Sequence, residues 1–191
     1  MPQLLKPFGY FEPTTVGEAI GFLSTHSDKV KVLAGGTDLI ISMKRREVLP
    51  EYVIYIKAIQ GLDYIEYAQE SGLRIGALTT HSAIADSPII RDRFGLLATA
   101  CGKVGTPQVR NMGTIGGNIC KAGPSQDSIP ALLVLDARFK LVSSKGERLI
   151  PLTGSLLHRF RLPLNQQSYS PKFGYRHYLR EVRVATNGLP R

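Results

Sequence analysis

The sequence predicts an α+β fold, and three observations carry that prediction. Two short apolar runs, residues 30–34 and 52–56, flank a stretch that can form a helix. Further on, residues 64–77 and 138–150 each read as two strands about a turn, the second about Ser144-Lys145-Gly146. Between these hairpins the apolar residues recur at helical spacing. A β–α–β unit over residues 1–58 and a hairpin-and-helix unit over 59–164 follow from this pattern, with 165–191 as an irregular tail.

The elements follow in order. Pro13, Thr14 and Thr15 precede Val16, Ala19, Ile20 and Leu23, an amphipathic helix with a threonine cap. Residues 30–34 form a buried strand that ends in Gly35-Gly36, and Asp38 is placed to cap a short helix over 38–43. Lys44 to Glu47 form its exposed last turn, and Pro50 separates it from the strand at 52–56. After the first hairpin, Thr79-Thr80-His81-Ser82 caps a helix to Asp86, and residues 89–101 continue as one helix beyond Pro88. Gly102, Gly105, Pro107, Gly113, Gly116 and Gly117 make 102–117 a long loop, and a loop of that length in a small domain usually wraps a ligand. A helix over 129–135 follows, and from Val182 onward no regular element is expected.

Two glycine stretches carry the functional signal. One runs Val32-Leu33-Ala34-Gly35-Gly36-Thr37-Asp38-Leu39 and the other Gly113-Thr114-Ile115-Gly116-Gly117-Asn118. A Gly-Gly pair lets the backbone approach an anion with no Cβ in the way, and the neighbouring threonine hydroxyls and amides can donate to phosphate oxygens. Two such stretches suit one diphosphate. Neither the Gly-x-Gly-x-x-Gly fingerprint nor the P-loop pattern occurs, which argues against a standard dinucleotide fold or a P-loop NTPase.

Composition narrows the classes. The 191 residues, 43% of them hydrophobic, suffice for one good core or two small ones. The absence of a long apolar run and of a basic, apolar leader makes the cytoplasm the expected location. Cys101 and Cys120 are too few for an iron–sulfur cluster or structural zinc and are expected as small buried residues. Of the net charge of +9, residues 159–191 carry +6, spread singly rather than as the basic run of a nucleic-acid arm. His81, after Thr79-Thr80, fits a capping or buried hydrogen-bonding role better than that of a general base.

Phe11-Glu12-Pro13-Thr14-Thr15, Leu33 to Leu39, Ile75-Gly76-Ala77-Leu78-Thr79-Thr80-His81 and Val109-Arg110-Asn111-Met112-Gly113-Thr114-Ile115-Gly116-Gly117-Asn118, in this order, carry a family resemblance. Over residues 8–163 the chain resembles the FAD-binding medium (flavoprotein) subunit of the xanthine dehydrogenase and carbon monoxide dehydrogenase family of molybdenum hydroxylases, C-terminally truncated. The resemblance implies a two-subdomain FAD-binding fold of the molybdopterin-dehydrogenase/vanillyl-alcohol-oxidase-like type with FAD between the subdomains. It places Val32, Leu33, Ala34, Gly35, Gly36, Thr37, Asp38 and Leu39 around the diphosphate and part of the flavin side. It also places Gly105 near the flavin or adenosine, and Thr114, Ile115, Gly116, Gly117 and Asn118 as a second diphosphate loop. Asp127 matches an acid that hydrogen-bonds FAD, helix capping being its other reading. Lys172 matches a lysine near the flavin ring, and residues 165–191 read as the remnant of a further domain.

The implied function is electron transfer: from a 2Fe–2S small subunit, fed by a molybdopterin large subunit, through FAD to NAD, a quinone or oxygen, with no catalytic side chain and no metal on this chain. The rival reading is a noncatalytic binding module, either a degenerate flavoprotein remnant or a basic nucleic-acid-binding domain.

Overall fold

Strands β1 (Gly9–Phe11), β2 (Val30–Leu33) and β3 (Tyr52–Tyr55) form a parallel sheet in the order β1-β3-β2. The computed structural model from which this architecture is read describes residues 4–121, 126–152 and 178–185. The two strands expected from the apolar runs are present. At three residues, β1 is too short to show a two-residue period, and pairing with β3 defines it. Gly9 permits that pairing, since a Cβ there would lie 2.6 Å from the Tyr52 ring.

Helix α1 (Val16–His26) starts as the threonines predict: Thr15 Oγ1 accepts the Glu18 amide at 3.2 Å, and the Thr14 amide donates to the Glu18 carboxylate at 2.9 Å. It buries Ala19 and Leu23 with Val30, Ile54, Ile56, Ile59, Leu62 and Leu78, and Phe22 stacks on Phe11 with ring centroids 4.5 Å apart. Helix α2 (Leu39–Lys44) corrects one expectation. Asp38 stands at its N-cap, but in helical conformation (φ −100°, ψ −47°), and its side chain makes no capping bond.

The second sheet contains β4 (Ile65–Ala68), β5 (Gly72–Gly76), β6 (Arg138–Ser143), β7 (Gly146–Pro151) and β8 (Tyr178–Val184), antiparallel throughout, in the order β4-β5-β8-β6-β7. Both expected hairpins are there. The strand that joins them overturns the reading of an irregular end from Val182 onward. β8 pairs with β5 on one side and β6 on the other, and Leu179, Val182 and Val184 are buried. A register shift between Lys140 and Leu141 puts buried residues on β8 out of strict alternation, so no two-residue period was available to read. Buried Glu181 on this strand accepts from the Tyr64 hydroxyl and from Arg183 Nε. Burial alone would raise its carboxyl, yet these two donors outweigh it and hold the group below its ordinary value.

Helices α3 (His81–Asp86), α4 (Pro88–Arg93), α5 (Gly95–Gly102), α6 (Pro107–Met112), α7 (Ile115–Lys121) and α8 (Ser128–Val134) lie between β5 and β6 in sequence. Ile84, Phe94, Leu97, Ile115 and Leu132 pack with Leu73, Ile75, Phe139, Val182 and Val184 of the sheet. The single helix expected over 89–101 breaks at Phe94 (φ −134°, ψ 42°). Its ring is buried and meets Tyr67 edge-on at 6.0 Å, and burying a phenylalanine stabilises by about 2 kcal/mol, more than one residue of helix continuity.

The long loop expected over 102–117 is largely helical. Thr106 accepts the Val109 amide at 3.4 Å with Pro107 in the first turn of α6, and Thr114 Oγ1 accepts the Gly117 amide at 3.1 Å at the head of α7. Threonine caps hold the short helices, and Gly116 of α7 serves close packing. Cys101 is fully buried, which pushes its thiol up to about 12, whereas Cys120 is exposed, against expectation. Among the described residues no helix is long and apolar enough to cross a membrane, and no group of His, Cys, Asp and Glu could hold a metal.

Candidate functional site

The two glycine stretches meet in space. A Cβ on Gly35 would lie 2.1 Å from the Met112 carbonyl oxygen and 2.9 Å from the Gly113 Cα, so the loop after β2 rests directly on the chain before α7. Gly36 turns away at φ +75°, in the left-handed region. A second strand of contacts fixes the other side. Thr80 and Thr114 form an isolated antiparallel bridge, the His81 amide donates to Gly113 O at 3.1 Å, and the Ile115 amide donates to Thr79 O at 3.0 Å.

A cavity of about 360 Å³ opens between these segments. Of the expected residues, Val32, Ala34, Gly35, Gly36, Thr37, Asp38, Leu39, Gly105, Thr114, Gly116, Gly117, Asn118 and Asp127 line it. Leu33 and Ile115 do not. The Leu33 carbonyl accepts the Ile56 amide within the first sheet's framework, and Ile115 is fully buried in the second core. Lys172 lies outside the described residues.

The two stretches differ in what they offer. None of the described hydrogen bonds uses the amides of Gly35, Gly36, Thr37 or Asp38, so this loop presents a run of available donors to the cavity. The amides of Ile115, Gly116, Gly117 and Asn118 are all committed, to Thr79 O, Ala77 O, Thr114 Oγ1 and Thr114 O. Gly116 is a packing glycine, since a Cβ there would lie 2.6 Å from Ala77 O. Gly117 is exposed to the cavity, and a Cβ there would meet only Thr114 Oγ1, at 3.1 Å. One loop donates; the other clears space.

Asn118 is spoken for. Its Nδ2 donates to Gln126 Oε1 and its Oδ1 accepts from Ser128 Oγ at 2.6 Å, all three side chains being buried. It therefore ties α7 to the start of α8. Asp127, next to this tie, stands at the α8 N-cap in helical conformation without a side-chain capping bond, so the capping alternative is not what the structure shows.

Lys31, His81, Cys120, Lys121 and Gln126 also line the cavity, with Phe139, Leu141 and Leu179 as part of its apolar wall. Sequence patterns did not single out most of them: this part of the apolar wall comes from β6 and β8, which pair in the second sheet. His81 is 1% exposed, and burial pushes its imidazole down to about 4, partly countered by the charge of Asp127. Its backbone amide is used, but ring atom Nδ1 has no partner among the described residues, so the buried hydrogen bond expected of this ring is missing.

The residues present suit a flavin dinucleotide. Free loop amides and absent Cβ atoms provide for an anionic diphosphate, and the apolar wall provides for a ring system. A two-sheet α+β fold with such a cavity defines a cofactor-binding protein. The chain belongs to the family described as the FAD binding domain in molybdopterin dehydrogenase, whose model matches residues 6–167.

Relatives agree. It is 41% identical over 150 residues to the nicotinate dehydrogenase FAD-subunit of Eubacterium barkeri, covering 78% of this chain and 50% of that one. It is 37% identical over 159 residues to the carbon monoxide dehydrogenase medium chain of Hydrogenophaga pseudoflava, covering 83% and 55%. A solved structure of carbon monoxide dehydrogenase from Hydrogenophaga pseudoflava superimposes with a TM-score of 0.86 at 34% identity, covering 95% of this chain and 60% of the other. The chain thus spans about half the length of the curated relatives it matches.

Proposed function

We propose that this chain is the FAD-binding, electron-transferring part of a molybdenum hydroxylase, holding the cofactor in the cavity between its two sheets. The observation that carries this reading is the loop at Gly35, Gly36, Thr37 and Asp38, whose amides have no partner among the described hydrogen bonds and which shares the cavity with the Cβ-free surface at Gly117. In this reading the diphosphate takes its hydrogen bonds from the first loop and lies against Gly117, with Val32, Ala34 and Leu39 beside it. Asp127 accepts from a ribityl or ribose hydroxyl, Gly105 borders one end of the cofactor, and Lys172 sits near the flavin ring. Residues 1–58 and 59–164 act as the two halves of the clamp.

FAD, when bound, supplies the redox chemistry, accepting and releasing electrons. The chain's own residues bind and orient it and shield it from water; none has to act as nucleophile or general acid. An iron–sulfur partner and a molybdopterin partner provide the electrons, and NAD, a quinone or oxygen takes them. Support comes from the family description and from the relatives' names as FAD-subunit and medium chain. The test is the visible spectrum of the purified chain after incubation with FAD and desalting. Retained flavin bands at one equivalent are expected. A folded chain that retains none overturns the site as drawn.

A further inference from the structure

We infer that Gln126 and Ser128 are positioning residues for the cofactor: by pinning the chain on both sides of Asp127 to the buried amide of Asn118, they aim the Asp127 carboxylate into the cavity. This rests on the cavity between the sheets being the FAD site and on Asp127 accepting from a hydroxyl of that cofactor. Asn118, Gln126 and Ser128 are only 8%, 7% and 0% exposed. Asn118 Nδ2 donates to Gln126 Oε1, and Ser128 Oγ donates to Asn118 Oδ1 at 2.6 Å. One side-chain amide on α7 thus holds both neighbours of Asp127. A further bond closes the segment, since the Ile129 amide donates to Gln126 O at 3.1 Å. Between these two inward anchors Asp127 is exposed and lines the cavity, with its backbone at φ −58° and ψ −30°.

Asp127 has no other employment in the fold. It makes no side-chain cap for α8, and no described hydrogen bond uses its carboxylate. Its charge reaches the His81 imidazole, beside the junction of the two glycine stretches. A carboxylate carried on a loose turn would have to be ordered as the cofactor arrives, and that ordering weakens binding. The trio removes this cost in advance. Any other arrangement of the segment leaves a buried donor or acceptor of Asn118, Gln126 or Ser128 unpaired, so the hydrogen-bonded trio holds residue 127 in one orientation.

The experiment uses the full chain as wild type, Gln126→Met, Asp127→Ala and the double variant, each titrated with FAD by calorimetry. Methionine keeps the volume of Gln126 and removes the acceptor that Asn118 uses. Asp127→Ala should weaken FAD about tenfold and Gln126→Met about fourfold. The double variant should bind within about twofold of Asp127→Ala, because a tie that acts through Asp127 then has nothing left to aim. A tie that serves only the fold or the cavity shape gives the product instead, about fortyfold, and that result overturns the inference. A dissociation constant equal to wild type in Gln126→Met or in Asp127→Ala also overturns it. Ser128→Ala, alone and combined with Asp127→Ala, runs the same cycle from the other anchor and decides the matter if Gln126→Met does not fold. A wild-type chain that binds no FAD overturns the cavity as the cofactor site and the inference with it, an outcome distinct from failure of the tie alone.

Discussion

Single glycines separate packing from cavity lining in this protein. At Gly35 an added methyl collides with the Met112 carbonyl, a backbone atom that cannot step aside. Gly35→Ala should therefore destabilise the fold by about 2–3 kcal/mol, seen as a lower denaturant midpoint in chemical unfolding. At Gly117 the same methyl enters the cavity. Gly117→Val should leave the melting temperature within a few degrees of wild type yet abolish flavin retention; undiminished flavin would place the diphosphate elsewhere. His81 adds a pH signature. Its folded value near 4 lies below its ordinary 6.5, so the unfolded chain takes up a proton first as the solution is acidified. This group leaves stability unaffected above pH 6.5 and lowers it as pH falls toward 4, by at most about 3 kcal/mol. His81→Leu should flatten that part of the stability–pH curve of the flavin-free protein.

Among the elements, α6 and α7 were misread as loop because six glycines and prolines within sixteen residues look like turn chemistry. Threonine side chains decide otherwise, each capping a helix of only six or seven residues. Thr106→Ala should cost about 1 kcal/mol and make the α6 amides exchange faster with deuterium, without touching the cavity wall directly. Strand β8 is the opposite case. Its residues carry no legible period, and its place is set by β5 and β6, which it joins. A chain ended at residue 177 should lose the five-stranded sheet rather than merely its edge, detectable as collapse of the β signal in circular dichroism and rapid proteolysis.

For the molecule as a whole, the cavity is a property of two sheets meeting. Its donors come from the loop after β2, its spacing from α7, and part of its apolar wall from β6 and β8. Glu181 links that sheet to solution pH: its carboxyl is held low by Tyr64 and Arg183 against the opposing effect of burial, so its contribution is present above the ordinary glutamate value of 4.5 and lost as pH falls through its depressed folded value. Glu181→Gln should reduce stability at neutral pH and make the acid limb of the unfolding curve shallower. FAD held by backbone amides should also respond weakly to salt, whereas a nucleic-acid complex of this basic chain would dissociate steeply with ionic strength.

Local chemistry alone made much of this legible. The strand at 30–33, helix α1 with its threonine cap, both hairpins and the two glycine stretches follow from periodicity and turn residues, because each is specified by neighbours within a few positions. The motifs at Leu33 to Leu39 and Val109 to Asn118 carried the family. Tertiary contact decided the rest: which glycine faces the cavity and which faces a carbonyl, that Asn118 bonds Gln126 and Ser128, that Phe94 breaks a helix to bury its ring, and that β8 lies between two hairpins distant from it in the chain. Those outcomes depend on atoms brought together from far apart in sequence, and spacing along the chain holds no record of such distances.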